Sequence, residues 1–317
     1  MNKKSVLVLV IVILLSLFIV GCQTGTKKEQ KTLGIFIGGS DALEFSFTEG
    51  QPPAKVLDNL QEPFFIGLNL QNKGEYEIPS NKIISSLSGI NQEAFSLSSL
   101  HTKLSVPLEG KAKSGDQVIE SSPEEIQFDE ANYKHDLNAD FPTSLRVDVC
   151  YEYKTKAVSK VCLKNKAVEK TLEDKCSVLS DSVVTEASSA PVQIKDVKQR
   201  SSAAQEIKLT FKIVNVGKGD IYPPVTFSDK CIDVSAEKNK IQVSVTSPSP
   251  KVNIKCSQLQ DSNKGTTKLA LGEKTISCDI PTSDLQETAF EEPVNIVLSY
   301  FYKGSIEKQI TVLNSEQ

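Results

Sequence analysis

The chain has 317 residues and a formal charge of −4, with two arginines, Arg146 and Arg200, among its 36 basic residues. Mild acidity with so little arginine excludes a nucleic-acid partner, because bidentate phosphate and guanine recognition depends on arginine. Tryptophan is absent and the initiator is the only methionine. Val, Ile, Leu, Phe and Tyr must therefore build the core, among abundant Ser, Thr, Asn and Lys, a composition of short strands and polar turns.

Lys3 and Lys4 precede an apolar run from Val6 to Val20 that only Ser16 interrupts, and Gly21-Cys22 closes it. A basic head, an apolar centre and a small-residue exit describe an export signal. Ile19-Val20-Gly21-Cys22 also resembles a lipobox, whose cysteine is lipidated and becomes the mature N-terminus. As a helix the run rises about 24 Å, short of the roughly 30 Å hydrocarbon core. An uncleaved transmembrane anchor is the competing reading. Either way, the chain beyond Cys22 is expected outside the cytoplasm, held at the cell surface by an N-terminal anchor in the membrane lipid. Removing Lys3 and Lys4 leaves 34 basic against 40 acidic residues, a charge of −6.

Residues 23–32 (QTGTKKEQKT) carry no apolar periodicity and read as a flexible tether. Gly34, Gly38 and Gly39 fall in a strand-like stretch without the Lys-Ser/Thr of a phosphate loop, so they read as a turn. FFIGLNLQNKGEYEI (64–78) alternates Ile66, Leu68 and Leu70 on one face and turns at Asn72-Lys73-Gly74. The pattern weakens over 80–135, where a short helix at Asn91–Leu97 is expected. SLRVDVCYEYK (144–154) restores alternation through Leu145, Val147, Val149, Tyr151 and Tyr153. VSKVCLK (158–164) is read as its return strand across a brief turn, making a hairpin. Residues 33–165 thus form a first β-sandwich domain, and 166–190, without sustained period, a connecting segment.

A second β-sandwich domain spans 191–317. EIKLTFKIVNVGKGDIYPP (206–224) places Ile207, Leu209, Phe211 and Ile213 on one face. The strands KIQVSV, KVNIKC, KLALGEKTISCDI, PVNIVLSYFYK and SIEKQITVL come after it, the last two read as a closing hairpin. An internal repeat links the halves: LNLQNKGEYEIP matches KIVNVGKGDIYPP, and VDVCYEYKTKAVSKVCL matches NIVLSYFYKGSIEKQITV. Asn72 to Tyr151 spans 79 residues and Asn215 to Tyr300 spans 85. Two copies of one β-module, each burying one strand face against a second sheet, account for the mature chain.

The second copy is similar to the CARDB-type immunoglobulin-like modules of prokaryotic surface proteins. The strand running into Asn215-Val216-Gly217, Leu271-Gly272-Glu273 before a late strand, and the closing hairpin carry that resemblance over roughly 191–313. The whole arrangement resembles archaeal surface lipoproteins that begin with a Gly-rich strand and a Pro-Pro element. These resemblances imply an all-β fold of two tandem immunoglobulin-like sandwiches, a scaffolding or adhesive role with envelope or surface proteins as partners, and no chemistry.

No catalytic, metal or cofactor residue is assigned. His101 and His135 are the only histidines and share no ligand spacing, so they read as solvated loop residues. Asp261–Gly265 faintly resembles a calcium loop, but Lys264 sits inside it and Gly272 occupies the twelfth position. Glu124-Glu125 and Glu291-Glu292 read as solvated edges, and Tyr151, Tyr153, Tyr300 and Tyr302 as core. Three roles remain: an interaction or adhesion module, a solute- or polymer-binding component of an envelope complex, and an extracellular hydrolase. The last lacks a nucleophile–base constellation.

Beyond Cys22 there are six cysteines, an even number in an oxidising compartment, which predicts disulfides among Cys150, Cys162, Cys176, Cys231, Cys256 and Cys278. Cys256 shares an inward face with Val252 and Ile254, and Cys278 with Ile276 and Ile280, which pairs them. The hairpin reading puts Cys150 opposite Cys162, with Cys162–Cys176 as the competing bond. Cys231 is then left to Cys176.

Overall fold

The apolar alternation that starts at Leu145 does not stop at Tyr153. Every second residue from Leu145 to Leu163 is buried, including Thr155, Ala157, Ser159 and Val161, and the chain stays extended from Phe141 to Leu163. No hairpin forms at Lys154–Ala157, where none of the residues is a turn former. The second expected hairpin is likewise a single strand, Phe290–Leu313. Gly304, between the two stretches expected to pair, lies flat against an aromatic ring: a Cβ there would meet Phe45 Cζ at 2.8 Å.

The computed structural model describes residues 34–166, 172–181, 183–203, 205–226, 228, 231 and 235–316, so the signal segment, the tether and Cys22 lie outside the described residues. In the first half the strands are β1 (Leu43–Phe47), β2 (Lys55–Leu57), β3 (Gly67–Asn72), β4 (Ile83–Ser88), β5 (His101–Lys103), β6 (Ala112–Ser114), β7 (Gln117–Ile119), β8 (Glu124–Gln127) and β9 (Phe141–Leu163). In the second they are β10 (Val184–Ala187), β11 (Val192–Ala203), β12 (Glu206–Asn215), β13 (Asp220–Tyr222), β14 (Lys240–Thr246), β15 (Lys255–Cys256), β16 (Lys264–Lys268), β17 (Glu273–Pro281) and β18 (Phe290–Leu313). The fold is all-β and sandwich-like. Among the described residues the helical content is two single 3₁₀ turns, and Asn91–Leu97 is a set of turns rather than a helix. Asn91 still behaves as a cap there, its Oδ1 accepting the Ala94 amide at 2.9 Å.

Two small sheets, β1-β3-β8 and β11-β12-β17-β15, each supply one layer, and a large sheet ordered β16-β14-β18-β9-β4-β5 supplies the other. That order is a palindrome of the repeat. β1 pairs with β3 at Leu43↔Asn72 and β11 with β12 at Val192↔Asn215. β4 pairs with β9 at Ser85↔Val149, and β14 with β18 at Val243↔Leu298. Between the halves, β9 and β18 run antiparallel from Phe141↔Val312 to Leu163↔Phe290. Tyr151 lies opposite Tyr302 and Tyr153 opposite Tyr300, so a pseudo-twofold axis passes through the Glu152↔Phe301 pair.

This register decides how the chain is divided. The first part of β9 carries β4, and its last part carries β10 at Ala157–Lys160. The first part of β18 carries β14, while its end carries β2 at Thr311–Leu313. Each long strand therefore serves both sandwiches, and residues 32–317 form one compact unit. The expected division at 166–190 is not a break in pairing, since that segment contributes β10 to the large sheet. One continuous core results, with Ile66, Leu68, Leu70, Phe211, Ile213, Tyr151 and Tyr300 almost fully buried. Each such aliphatic or aromatic side chain contributes about 1.5–3 kcal/mol relative to exposure.

The disulfides follow the strands. Cys256–Cys278 bridges β15 to β17 as expected, with Cα atoms 3.9 Å apart. The other two correct the expectation: Cys150 bonds Cys231, and Cys162 bonds Cys176. On one extended strand, Cys150 and Cys162 stand twelve residues or about 40 Å apart, so no bond can join them. Both do lie on the expected face, pointing away from the tyrosine layer.

Candidate functional site

The four tyrosines around the pseudo-twofold axis lie inside the molecule. Their ring centroids form a closed set, Tyr151–Tyr153 and Tyr151–Tyr302 at 5.8 Å, Tyr153–Tyr300 at 6.3 Å and Tyr300–Tyr302 at 6.4 Å. Burial raises the pKa of all four hydroxyls above the ordinary tyrosine value. Two of them close the repeat's Asn-x-Gly turns. Tyr153 donates to Asn72 Oδ1 at 3.1 Å, while Asn72 Nδ2 donates to Tyr76 O at 2.7 Å. Tyr302 donates to Asn215 Oδ1 at 3.3 Å, while Asn215 Nδ2 donates to Gly219 O at 3.0 Å. A side chain on Gly74 or Gly217 would run into the respective tyrosine hydroxyl, which is why each turn needs a glycine. The repeat seen in the sequence is therefore a packing device and offers no ligand platform.

On the opposite face, the axis is covered from one side only. Phe301 stacks on Tyr222 with centroids 5.3 Å apart, and Ile84 and the Cys150–Cys231 bond complete a second, smaller apolar cluster. Beside it runs a charge network. Arg146 donates from Nε to Asp148 Oδ1 and from Nη1 to Glu307 Oε1, both at 2.9 Å. Lys303 Nζ lies 3.2 Å from Asp148 Oδ2. The hydrogen bonds to Asp148 and Glu307 hold the Arg146 guanidinium above its ordinary pKa. With each cation bound to a carboxylate, the network is closed and offers no spare charge to an anion. A cleft of about 420 Å³ opens next to it, between Leu43 and Phe45 of β1 and Tyr302–Ser305 of β18.

A second concavity of about 470 Å³ lies at the far end of the first sandwich, lined by Phe95, Tyr133, His135 and Phe141. Phe141 is 44% exposed, the most open aromatic of that wall. His135 packs edge-on to Tyr133 at 5.8 Å. His101 sits in β5 with Nδ1 2.8 Å from Ser86 Oγ, so it is a bonded strand residue rather than a solvated loop one. Among the described residues no group of three His, Cys, Asp or Glu side chains could hold a metal. Asp261–Gly265 is a tight turn closed by Asp261 N donating to Lys264 O at 2.8 Å. Glu291 is exposed and faces Lys160, whereas Glu292 is buried and accepts from Ser247 Oγ and the Ser249 amide. Adjacent strand residues point to opposite faces, so only the first of that pair meets solvent.

Sequence reasoning missed the strap formed by residues 34–41. Glu186 accepts the amides of Gly34 and Ile35 at 2.7 and 2.9 Å. Glu75 accepts those of Ile37 and Gly38 at 2.9 and 3.0 Å, and that of Ser189 at 2.6 Å. Gly38 and Gly39 turn here at φ +78° and +114°, as expected of a turn. The strap binds the start of the described chain to β10 and to the segment before β11. Among the described residues no helix is long and apolar enough to cross a membrane.

No family model matches the chain, and no curated protein matches it. Among solved structures, the envelope protein VP37 from White Spot Syndrome Virus aligns over 48% of this chain and 98% of its own, at 11% identity and a TM-score of 0.22. A similarity of that size carries no argument about fold or function.

Proposed function

We propose that the protein is a membrane-anchored, extracytoplasmic lipoprotein whose tandem immunoglobulin-like sandwiches, of the CARDB type, serve as a structural, adhesive or protein-interaction module. The observation that carries this reading is the use of cysteine. All six cysteines after Cys22 are joined in three disulfides, as suits an oxidising compartment. Cys22 is thereby left as the odd thiol, and it ends the sequence that resembles a lipobox. The strap supports the same reading, because it fixes the point where a tether of residues 23–32 would meet the folded unit. Two pseudo-equivalent halves in one rigid sheet suit a spacer that displays loops and edges at a fixed geometry.

Cys22→Ser tests the anchor. The variant is expected to leave the membrane fraction or accumulate as an uncleaved precursor. Fractionation and migration like the wild type would replace lipidation with a transmembrane anchor.

A solute-binding role is the second reading, and the aromatic concavity at Phe95, Tyr133 and Phe141 favours it. Phe141→Ala would then weaken capture of an apolar or aromatic solute without changing the melting temperature.

A further inference from the structure

The pseudo-twofold is broken at one edge of the large sheet. Matching Tyr151 and Tyr153 to Tyr300 and Tyr302 places every β9 residue 149 positions before its β18 counterpart. Ala157–Lys160, which β10 covers, therefore correspond to Ile306–Gln309. Among the described residues no strand pairs with that part of β18 from outside: β13 ends its pairing at Lys303 and parallel β2 begins at Thr311. Thr311 N donates to Ala54 O, away from β9. Alternation then turns the N–H and C=O groups of Ser305, Glu307 and Gln309 to the same open side. Among the described residues none of these groups has a hydrogen-bond partner there, and all three side chains are exposed.

The segment that would close this edge by symmetry is engaged elsewhere. Leu43 and Val192 are also 149 positions apart, so the counterpart of β10 is Ile35–Gly38. That segment is the strap, and Glu186 and Glu75 hold its amides. Beneath the open edge lies an apolar floor, with Phe45 under Gly304 and the Phe47 ring centroid 5.9 Å from Lys308 Nζ. The 420 Å³ cleft continues that floor toward Tyr302. A symmetric antiparallel pairing of two copies centred on these five residues would set Glu307 against Glu307, which disfavours self-association.

We propose that Ser305–Gln309 is a strand-addition site for an extended segment of a partner protein, with apolar side chains toward Phe45 and Phe47 and a cation opposite Glu307. Main-chain hydrogen bonds supply the affinity and the alternating side chains the selectivity, the general logic of strand addition. The inference rests on the interaction-module reading and gives its mode of contact.

The probe is a capped peptide of residues 181–190, the chain's own cover for the equivalent edge, together with its Glu186→Lys version. Antiparallel addition in the β10 register places position 186 opposite Glu307. Full-length protein in detergent micelles is monitored by residue-resolved amide exchange. Peptide binding is expected to slow exchange at Ser305, Glu307 and Gln309 at least tenfold, leaving Ile306 and Lys308 unchanged because β9 already holds them. The lysine peptide should bind about threefold more tightly than the glutamate one, the size of a single cross-strand charge pair. Gln309→Pro, whose lost donor faces outward and not toward β9, should abolish the protection, and Gln309→Ala should keep it. No protection at millimolar peptide, protection at Ser159 in place of Glu307, or protection that survives Gln309→Pro would overturn the proposal. None of these outcomes bears on the lipid anchor, which Cys22→Ser tests alone.

Discussion

Cutting the chain before Ala190 separates the two readings of its domain organisation. If the second half were a self-sufficient sandwich, residues 190–317 would fold alone. In the structure that fragment keeps β18 but loses β9, its partner over a 23-residue strand. An antiparallel ladder carries about one hydrogen bond per residue pair. At a net 0.5–1.5 kcal/mol each, the lost ladder is worth on the order of 20 kcal/mol. That exceeds the roughly 5–15 kcal/mol by which a whole domain is stable. The fragment also loses the covers of its core that β9 supplies, Thr155 to Val161. It is therefore expected to be unfolded as a monomer. At higher concentration it should recover strand structure only as a dimer, because β18 is the repeat equivalent of β9 and can take its place about Phe301↔Phe301. Sedimentation velocity with circular dichroism, from 1 µM to 1 mM on the order of typical association constants, reads both species. A monomer with a strand spectrum and a cooperative melt at the lowest concentration would refute the reciprocal sharing of strands.

Non-reducing peptide mapping should recover Cys150 with Cys231, Cys162 with Cys176 and Cys256 with Cys278; a Cys150–Cys162 peptide would mean that the long strand is a hairpin. Replacing Cys150 and Cys231 by alanine should cost about 4 kcal/mol in denaturant unfolding, from the closure entropy of an 81-residue separation; a loss below 1 kcal/mol would show that the loop is already ordered in the unfolded chain. Gly74→Ala should destabilise by roughly 2–4 kcal/mol, since the added methyl displaces the Tyr153 hydroxyl from Asn72; a neutral effect would remove the turn from the packing device. The four axial tyrosines have folded-state pKa values raised by burial, so the folded state holds their protons more tightly than the unfolded one. Their contribution is complete below about pH 10 and falls as pH rises above the unfolded value, so phenolate absorbance should appear together with unfolding; separate titration before unfolding would contradict their burial.

The faces of individual strands were legible in the sequence, and the length of two strands was not. Ile66–Leu70, Leu145–Tyr153 and Ile207–Ile213 alternate strictly, and each inward residue proved buried. The same alternation continues through Thr155, Ala157, Ser159 and Val161, but small and polar residues on the inward face hide it from an apolar count. They are small because β11 lies close above them: Thr155 Oγ1 donates to Val192 O at 2.6 Å. A turn placed at Lys154–Ala157 forces Cys150 against Cys162, and the assignment of Cys231 to Cys176 is then reached by elimination. One misplaced turn produced both errors. The missing Gly, Pro, Asn or Asp was the available warning.

The repeat was visible, yet its meaning required register. Two similar modules in a row suggest beads on a string, because sequence shows order and not partnership. The pairing of β9 with β18 about Glu152↔Phe301 makes the chain equivalent to a fused, strand-sharing dimer of its own repeat. Such a dimer would be symmetric on both faces and at both edges, so its departures from symmetry mark where the halves came under different demands. Two departures stand out: the Tyr222–Cys231 cover over Phe301, and the strap that holds Ile35–Gly38 away from β18. The first is closed by a disulfide and a stacked aromatic pair, which suits stability. The second leaves five residues of backbone open beside an apolar floor, where β10 covers the equivalent stretch of β9, and that asymmetry argues for contact with another chain.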